Sequence, residues 1–358
     1  MRGGERVLEA LCGLYPDADI FTLVHQRGSV SPIIERHRIA TSFIQQLPMG
    51  LRQYRQYLPL FPFAIERFDL APYDLVISSS HCAAKAAIAS PHAPHICYCH
   101  SPMRYAWDQF DAYFGPARKG VVASRLLYRP VMARLARWDA ATAVRVHRFV
   151  ANSAHVAERI RRYYNRVATI VYPPVDTAFF HPSDVTPGHH FLIVSALVPY
   201  KRIEIALDAC ARLGAPLRIV GDGPDRAKLQ RLAGPGVEFL GHLSDNAVRD
   251  EYRRALAVIM PGEEDFGIVP VEAQACGRPV VALARGGSLE TVVDNETGVL
   301  FTEANATSLA EALERATRMR FDSSRLRAHA EQFGRARHVD TMRELIAETA
   351  AAPAGTRW

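Results

Sequence analysis

The sequence predicts an α/β protein built from two doubly wound parallel-sheet domains in tandem, and three observations lead there. The 358 residues exceed one average domain of about 150 residues. Short apolar runs of strand length alternate with helical segments along both halves, as expected for parallel sheets covered on both faces. The alternation breaks once, at Tyr172-Pro173-Pro174-Val175-Asp176 and the polar, turn-rich stretch Pro182 to Gly188. Paired prolines and turn residues interrupt regular structure there. The expected division is therefore 1–178, 179–337, and a C-terminal helix and tail at 338–358.

In the first half the strand-like runs are ADIFTLVH (18–25), YDLVISSS (73–80), HICYCHSP (95–102), RFVANS (148–153) and ATIVYPP (168–174). The second half is more regular. FLIVSAL (191–197) leads to a helix near 202–213, stopped by Gly214, a residue suited to a C-terminal cap. LRIVGDG (217–223) precedes a helix near 224–233, and VEFLGHL (237–243) precedes one near 245–256 with Ser244 and Asp245 as cap candidates. ALAVIMPG (255–262) leads to a helix near 268–276, and PVVAL (279–283) and GVLF (298–301) follow. Ser308 and Glu311 have capping-box spacing for the next helix. Val339 to Ala352 reads as a last helix. Both halves read as Rossmann-like.

The start departs from that plan. A doubly wound domain opens with a strand followed by a glycine-rich turn, whereas this chain opens on Arg2-Gly3-Gly4-Glu5 and enters a helix. The first N-terminal strand is missing from the pattern. Such a strand lies mid-sheet, where its absence leaves backbone groups unpaired, so the expectation is that residues upstream of Met1 supply it.

Composition narrows the class. Apolar residues make up 49% and charged residues 22%, which excludes a disordered, collagen-like or coiled-coil chain. No apolar run approaches the ~18 residues of a membrane-spanning helix, and no signal-peptide pattern opens the chain. A cytoplasmic location is expected. Six cysteines, at 12, 82, 97, 99, 210 and 276, lack metal-ligand spacing. Cys97 and Cys99 would share one strand face while His100 points to the other. Reduced buried thiols are expected, and no metal.

Residues 1–175 hold 22 Lys+Arg and 12 Asp+Glu, a balance of +10; residues 176–358 hold 21 and 25, a balance of −4. Part of the basic excess lies between Arg118 and Arg148, with Arg118, Lys119, Arg125, Arg129, Arg134, Arg137, Arg145 and Arg148 among Leu, Val and Ala. That run reads either as a solvated helix face or as a surface for anionic lipid headgroups, and we expect the latter. No nucleic-acid recognition motif accompanies the charge, so no nucleic-acid partner is expected.

The segment with most chemistry is Gly262-Glu263-Glu264-Asp265-Phe266-Gly267-Ile268-Val269-Pro270-Val271-Glu272. It falls where a strand ends and a helix begins, the edge at which open parallel sheets bind ligands. Gly267 permits close approach of the backbone, and the amides from Phe266 to Val269 lie at a helix N-terminus suited to an anion. Dipole-favoured acids would account for part of the pattern. Three acids in a row, a Phe-Gly and a further Glu in an apolar helix exceed that need.

This segment resembles the E-x7-E motif of the family-4 retaining glycosyltransferases, which have the GT-B fold of two Rossmann-like domains facing across a cleft. Ala196-Leu197-Val198-Pro199-Tyr200-Lys201-Arg202 is similar to the family's phosphate-binding loop, and His100-Ser101-Pro102 to its N-terminal-domain histidine motif. Val220-Gly221-Asp222-Gly223-Pro224, Phe239-Leu240-Gly241 and Ala151-Asn152-Ser153 match further landmarks. Within the family, the segments SALVPYKR, CHSPMRYAWD and PGEEDFGIVPVEAQ resemble those of bacterial mannosyltransferases of O-antigen and exopolysaccharide assembly.

The resemblance implies roles. Glu264 would contact donor-sugar hydroxyls, helped by the amides of Phe266, Gly267 and Ile268, and Glu272 would take the ribose. Lys201 would sit on the diphosphate, with Gly4 letting an N-terminal-domain loop close over it. His100 would lie near the transferred sugar, and His242 and Leu243 would border the base. Many members place an Arg where this chain has Ala196, so Arg202 or Arg104 is expected to stand in. In GT-B folds the last helix often crosses back to the first domain. The implied reaction is retaining transfer of a hexose, mannose from GDP-mannose, to a lipid-linked glycan acceptor in surface polysaccharide biosynthesis. It would occur at the inner face of the plasma membrane, with no metal and no cofactor beyond the nucleotide-sugar substrate. The alternatives are a UDP-sugar donor on the same fold, an epimerase, and a non-catalytic sugar-nucleotide-binding protein. A nicotinamide dehydrogenase is disfavoured, since neither half has a G-x-G-x-x-G turn after a strand.

Overall fold

The computed structural model describes residues 3–358, so Arg2 of the expected glycine turn lies outside the described residues. The chain divides into two compact units: residues up to Pro174 together with His338–Trp358, and Val175–Arg337.

The first unit opens with a helix, Gly3–Leu14. Gly4 therefore sits in a first helical turn and not in the loop expected for it. Two short strands follow, β1 (Ile20–Thr22) and β2 (Ile39–Thr41), which pair in parallel with each other. A separate parallel sheet runs β3 (Val76–Ser80), β4 (His95–Cys99), β5 (Arg148–Ala151), β6 (Ala168–Ile170) in that order. Among the described residues no strand joins the two sheets.

β4 is buried along its whole length, and its alternation explains the packing. Ile96 and Tyr98 face Val7, Leu11, Val150 and Met342, whereas Cys97 and Cys99 face Phe149, Val156 and Ile160. Helices cover both faces, so both sets are apolar. The last helix, Arg335–Ala351, contributes Met342, Leu345 and Ile346 to the first of these layers. His338 Nδ1 lies 2.7 Å from the Tyr172 carbonyl oxygen.

The second unit carries β7 (Phe191–Val194), β8 (Leu217–Val220), β9 (Val237–Gly241), β10 (Ala257–Met260), β11 (Val280–Leu283) and β12 (Gly298–Phe301). They form one parallel sheet in the order β12-β11-β10-β7-β8-β9. Strand order reverses between β7 and β10, the switch point at which open α/β sheets form a crevice beyond their carboxyl ends.

Most strands are shorter than the apolar runs that foretell them, because one or both ends of a run leave the ladder for the adjoining loops, as Ser195 to Leu197 do after β7 and Tyr73 to Leu75 before β3. Gly214 ends the helix Ile203–Leu213 at φ 61°, and Ser244 caps Asp245–Arg254 by accepting from the Ala247 amide. The cap of Ala306–Arg318 is not Ser308. Asn305 is extended and its side chain accepts from the Ser308 amide, so Ser308 is already inside the first turn. None of the described helices is long and apolar enough to cross a membrane.

Candidate functional site

The switch point of the second unit gathers the predicted residues from two loops. β7 ends at Val194 and a 3-10 turn, Pro199–Lys201, follows. β10 ends at Met260, and Pro261 to Gly267 lead into the helix Ile268–Ala275. Ser195, Lys201, Met260, Gly262 and Glu264 line one small crevice between them. The loops touch: a Cβ at Gly262 would lie 2.5 Å from the Tyr200 carbonyl oxygen and 2.9 Å from Lys201 Cα. Only glycine fits such an approach.

Across that contact the Lys201 ammonium donates to Glu264 Oε1, and both side chains are mostly buried. The pair neutralises two groups that would be costly to desolvate singly. It also places one cation and one carboxylate, each assigned to a different part of a sugar nucleotide, at a single point.

Gly267, at φ 84°, is the N-cap of the helix behind Glu264. The amides of Gly267, Ile268 and Val269 have no carbonyl one turn earlier to bond, so the positive end of the helix opens at this loop. Phe266 gives only its backbone to this end. Its ring is buried and packs at 5.6 Å on Phe333.

Glu272, one helix turn further along, is buried and accepts from the Tyr252 hydroxyl at 2.9 Å. Tyr252 is itself fully buried. His242 and Leu243 follow β9 at the carboxyl edge of the same sheet, His242 exposed and Leu243 half-buried. Arg202 is not brought to the Lys201–Glu264 pair. It adopts φ 53° and its guanidinium engages Glu204 at 3.1 Å and the Ala304 carbonyl at 3.4 Å. With its guanidinium held there, Arg202 does not supply the cation expected in place of the missing Arg at Ala196.

In the first unit, His100 follows β4. Its amide donates to the Ser80 carbonyl at 2.8 Å, its carbonyl accepts from Asn152 Nδ2 at 3.1 Å, and its Nε2 lies 2.8 Å from Ser79 Oγ. Gly4 is its neighbour: a Cβ there would sit 3.5 Å from Nε2, an ordinary contact that would cover the ring. Arg159 holds the next residues, donating to Ser101 Oγ at 2.8 Å and to Asp108.

Several supports were not legible in the sequence. Gly286 bridges to Glu264, and the Gly287 amide donates to the Glu264 carbonyl at 2.8 Å. A Cβ at Gly287 would lie 2.4 Å from Phe266 Cα. The Gly-Gly after β11 is the signal that could have found them. Tyr252 and Arg159 have none, because their partners lie far along the chain. Among the described residues no three His, Cys, Asp or Glu side chains gather as a metal site would require. The six cysteines are free and buried, and burial pushes the Cys210 and Cys276 thiols up to about 12.

Sequence profiles match both parts of the chain: the one described as "Glycosyltransferase Family 4" over residues 1–179, and "Glycosyl transferases group 1" over 179–337. This chain belongs to glycosyltransferase family 4. A D-inositol 3-phosphate glycosyltransferase of Geodermatophilus obscurus is 32% identical over 240 residues, 57% of this chain and 53% of that protein. An uncharacterized glycosyltransferase of Methanocaldococcus jannaschii, MJ1178, is 28% identical over 45% of this chain and 47% of its own length. The match thus spans about half the length of these curated relatives. Among solved structures, Anabaena Alr3699/HepE in complex with UDP superposes with a TM-score of 0.70 at 19% identity, over 97% of this chain and 96% of that one. A sucrose-phosphate synthase from Thermosynechococcus elongatus gives 0.68 at 21%, over 96% and 92%. The fold of this family 4 glycosyltransferase is GT-B.

Proposed function

We propose that this glycosyltransferase moves a hexose, with retention, from a nucleoside diphosphate sugar to a lipid-linked glycan acceptor, and that the donor is GDP-mannose. The observation that carries the donor half is the Lys201–Glu264 pair at the switch point, beside an open helix N-terminus. When the donor binds, Lys201 leaves Glu264 for the diphosphate and Glu264 turns to the sugar hydroxyls. The amides of Gly267 and Ile268 share the phosphate charge, and Glu272, held by Tyr252, takes the ribose.

In the transfer the bond between the sugar C1 and the phosphate oxygen breaks with its electron pair going to the diphosphate. An acceptor hydroxyl attacks C1 from the same face and passes its proton to the departing phosphate. Preorganised donors aimed at the growing phosphate charge contribute most to such a barrier, about 2.7–4 kcal/mol for a single well-placed group. In this reading Lys201 and the helix amides suffice without a metal, and the nucleotide sugar is substrate rather than cofactor. The resemblance assigns His100 to the transferred sugar, and its hydrogen bonds to Ser79 and Asn152 fix its orientation within the first unit. Mannose rests on the likeness of the SALVPYKR, CHSPMRYAWD and PGEEDFGIVPVEAQ segments to bacterial mannosyltransferases. Peripheral attachment to the inner, anionic face of the plasma membrane belongs to the acceptor half.

One observation favours a second donor: Alr3699/HepE, of the same fold, is also known in complex with UDP-glucose. Melting curves with GDP, UDP and ADP separate the two, because a ligand of the folded state raises the midpoint by mass action. A shift with GDP, followed by transfer from GDP-mannose with the anomeric configuration kept, is expected. A shift with UDP alone transfers the reading to a UDP-hexose. Binding without transfer to any lipid-linked acceptor leaves a sugar-nucleotide-binding protein.

A further inference from the structure

The first unit carries a ridge that the transfer chemistry does not use. Four large aliphatic side chains stand bare within seven residues: Val121 at 55% exposure, Val122 at 71%, Leu126 at 76% and Leu127 at 57%. Isolated exposed apolar residues are ordinary, but a contiguous group at this exposure marks a surface that meets something. The backbone brings them together. A helical turn, Val121–Ala123, runs through a π turn, Ser124–Tyr128, into the helix Arg129–Thr142. The π turn carries Leu126 and Leu127, one turn beyond Val122.

The ridge is anchored from below. Ser124, Met132 and Leu135 are buried, the last two in the cluster that also holds Phe110 and Phe114. Tyr128 stacks on Phe114 at 5.1 Å. The opposite face is uncovered.

Charge defines what covers it. Arg118, Lys119, Arg125, Arg129, Arg134 and Arg137 are all exposed along this stretch, and no acidic residue occurs from Ala112 to Trp138. Lys119 and Arg129 lie over the Tyr128 and Phe110 rings, at 5.5 and 5.2 Å. A second copy of this face would bring like charges together, which opposes self-association. Nucleic acid would use the cations but has no place for bare aliphatic side chains, and base stacking needs exposed aromatics. Aliphatic side chains rimmed by cations match the interface of an anionic bilayer, where acyl chains take the one and headgroups the other.

We propose that Val121, Val122, Leu126 and Leu127 insert into the headgroup region of an anionic membrane, with Arg118, Lys119, Arg125 and Arg129 on the lipid phosphates. The proposal rests on the membrane-attached acceptor half of the function and gives it a location. Its test uses neither donor nor acceptor, so the donor chemistry stands whatever the result.

The full chain is sedimented with phosphatidylcholine vesicles, with and without phosphatidylglycerol, at low and high salt. Binding to the phosphatidylglycerol vesicles, weakened by salt, is expected. The triple variant Val122→Ser/Leu126→Ser/Leu127→Ser should lower the partition coefficient about tenfold or more with an unchanged melting midpoint. Arg118→Glu/Lys119→Glu/Arg125→Glu should abolish binding. If the triple variant melts early, Leu126→Ser alone takes its place. Absence of binding by the wild type overturns the proposal together with the membrane reading. Binding that both variants retain overturns the ridge alone. A wild-type dimer that the triple variant converts to monomer, without vesicle binding, overturns it in favour of a second copy.

Discussion

The two units place their charges differently. In the first, the ion pair of Lys85 and Asp139 and the uncharged imidazole of His95 are each 1% exposed or less, within the layers around the sheet. In the second, the most buried charged side chains are Asp265 at 7%, Glu272 and Glu251 at 8%, and Glu264 and Arg253 at 9%. Three of these five lie on the loop and helix after β10, at the carboxyl edge. A charge sealed inside a layer has its partner fixed by the fold and serves structure. One left at a margin can change partners when a ligand arrives. The comparison predicts that substitutions in the first group act on stability and those of Glu264, Asp265 and Glu272 on binding and turnover.

The largest effect should come from the sealed pair. Lys85 Nζ lies 3.1 Å from Asp139 Oδ1 and donates to Thr142 Oγ1 at 3.0 Å, while Asp139 Oδ2 accepts from Trp107 and Tyr164, each at 2.8 Å. Lys85→Met strands the carboxylate and should cost about 3–5 kcal/mol, read by urea unfolding. Lys85→Met/Asp139→Asn should recover part of it. Equal loss in both variants would mean the charges are not what holds the layer.

At the margin, Glu264→Gln keeps a group that Lys201 can bond but removes the negative charge. Turnover should fall about 10²–10³-fold with the unfolding midpoint little changed. A fall in stability to match that of Lys85→Met would erase the distinction between the units.

Acid should separate them too. Burial, then the neighbouring His147, pulls the His95 pKa down from 6.5 to about 3, and its Nε2 lies 2.8 Å from Ser78 Oγ. Below pH 6.5 the unfolded chain binds a proton that the native His95 refuses. Stability is therefore full above pH 6.5 and falls as the pH drops toward 3, by about 2 kcal/mol at pH 5. His95→Gln should flatten that part of the stability profile. An unchanged slope between pH 6.5 and 5 would place the acid sensitivity elsewhere.

The units also differ in how far they could be read in advance. The second was largely legible, because strand ends, a Phe-Gly-bearing loop and acids at fixed spacing are local demands of backbone and ligand. Periodicity likewise assigned Cys97 and Cys99 to one face of β4, where they share a layer with Phe149 and Val156. Partners distant in the chain left no such mark: Lys201 with Glu264, Lys85 with Asp139. Period 2 names the face of a side chain but not the loop that meets it. The Gly4 turn and the Ser308 cap failed for the converse reason. Their residue types suit a turn or a cap, yet Gly4 already lies inside a helix and Asn305 is the residue with extended backbone and a reachable amide.

Tyr252 sharpens the comparison, being fully buried like the first group yet bonded to a residue of the second. Its hydroxyl donates to Glu272 at 2.9 Å, and phenylalanine fills the same space without that bond. A residue of structure alone would lose about 1 kcal/mol of stability with KM unaltered. One that orients Glu272 toward the ribose should raise KM for the nucleotide sugar about tenfold while kcat at saturation holds, since uniform binding is lost rather than transition-state binding. The affinity for the nucleoside diphosphate should weaken in parallel, and that for inorganic diphosphate should not. If KM and kcat are both unmoved while the unfolding midpoint drops, Tyr252 belongs with Lys85 and His95, and burial rather than its bonded partner decides what a side chain does in this protein.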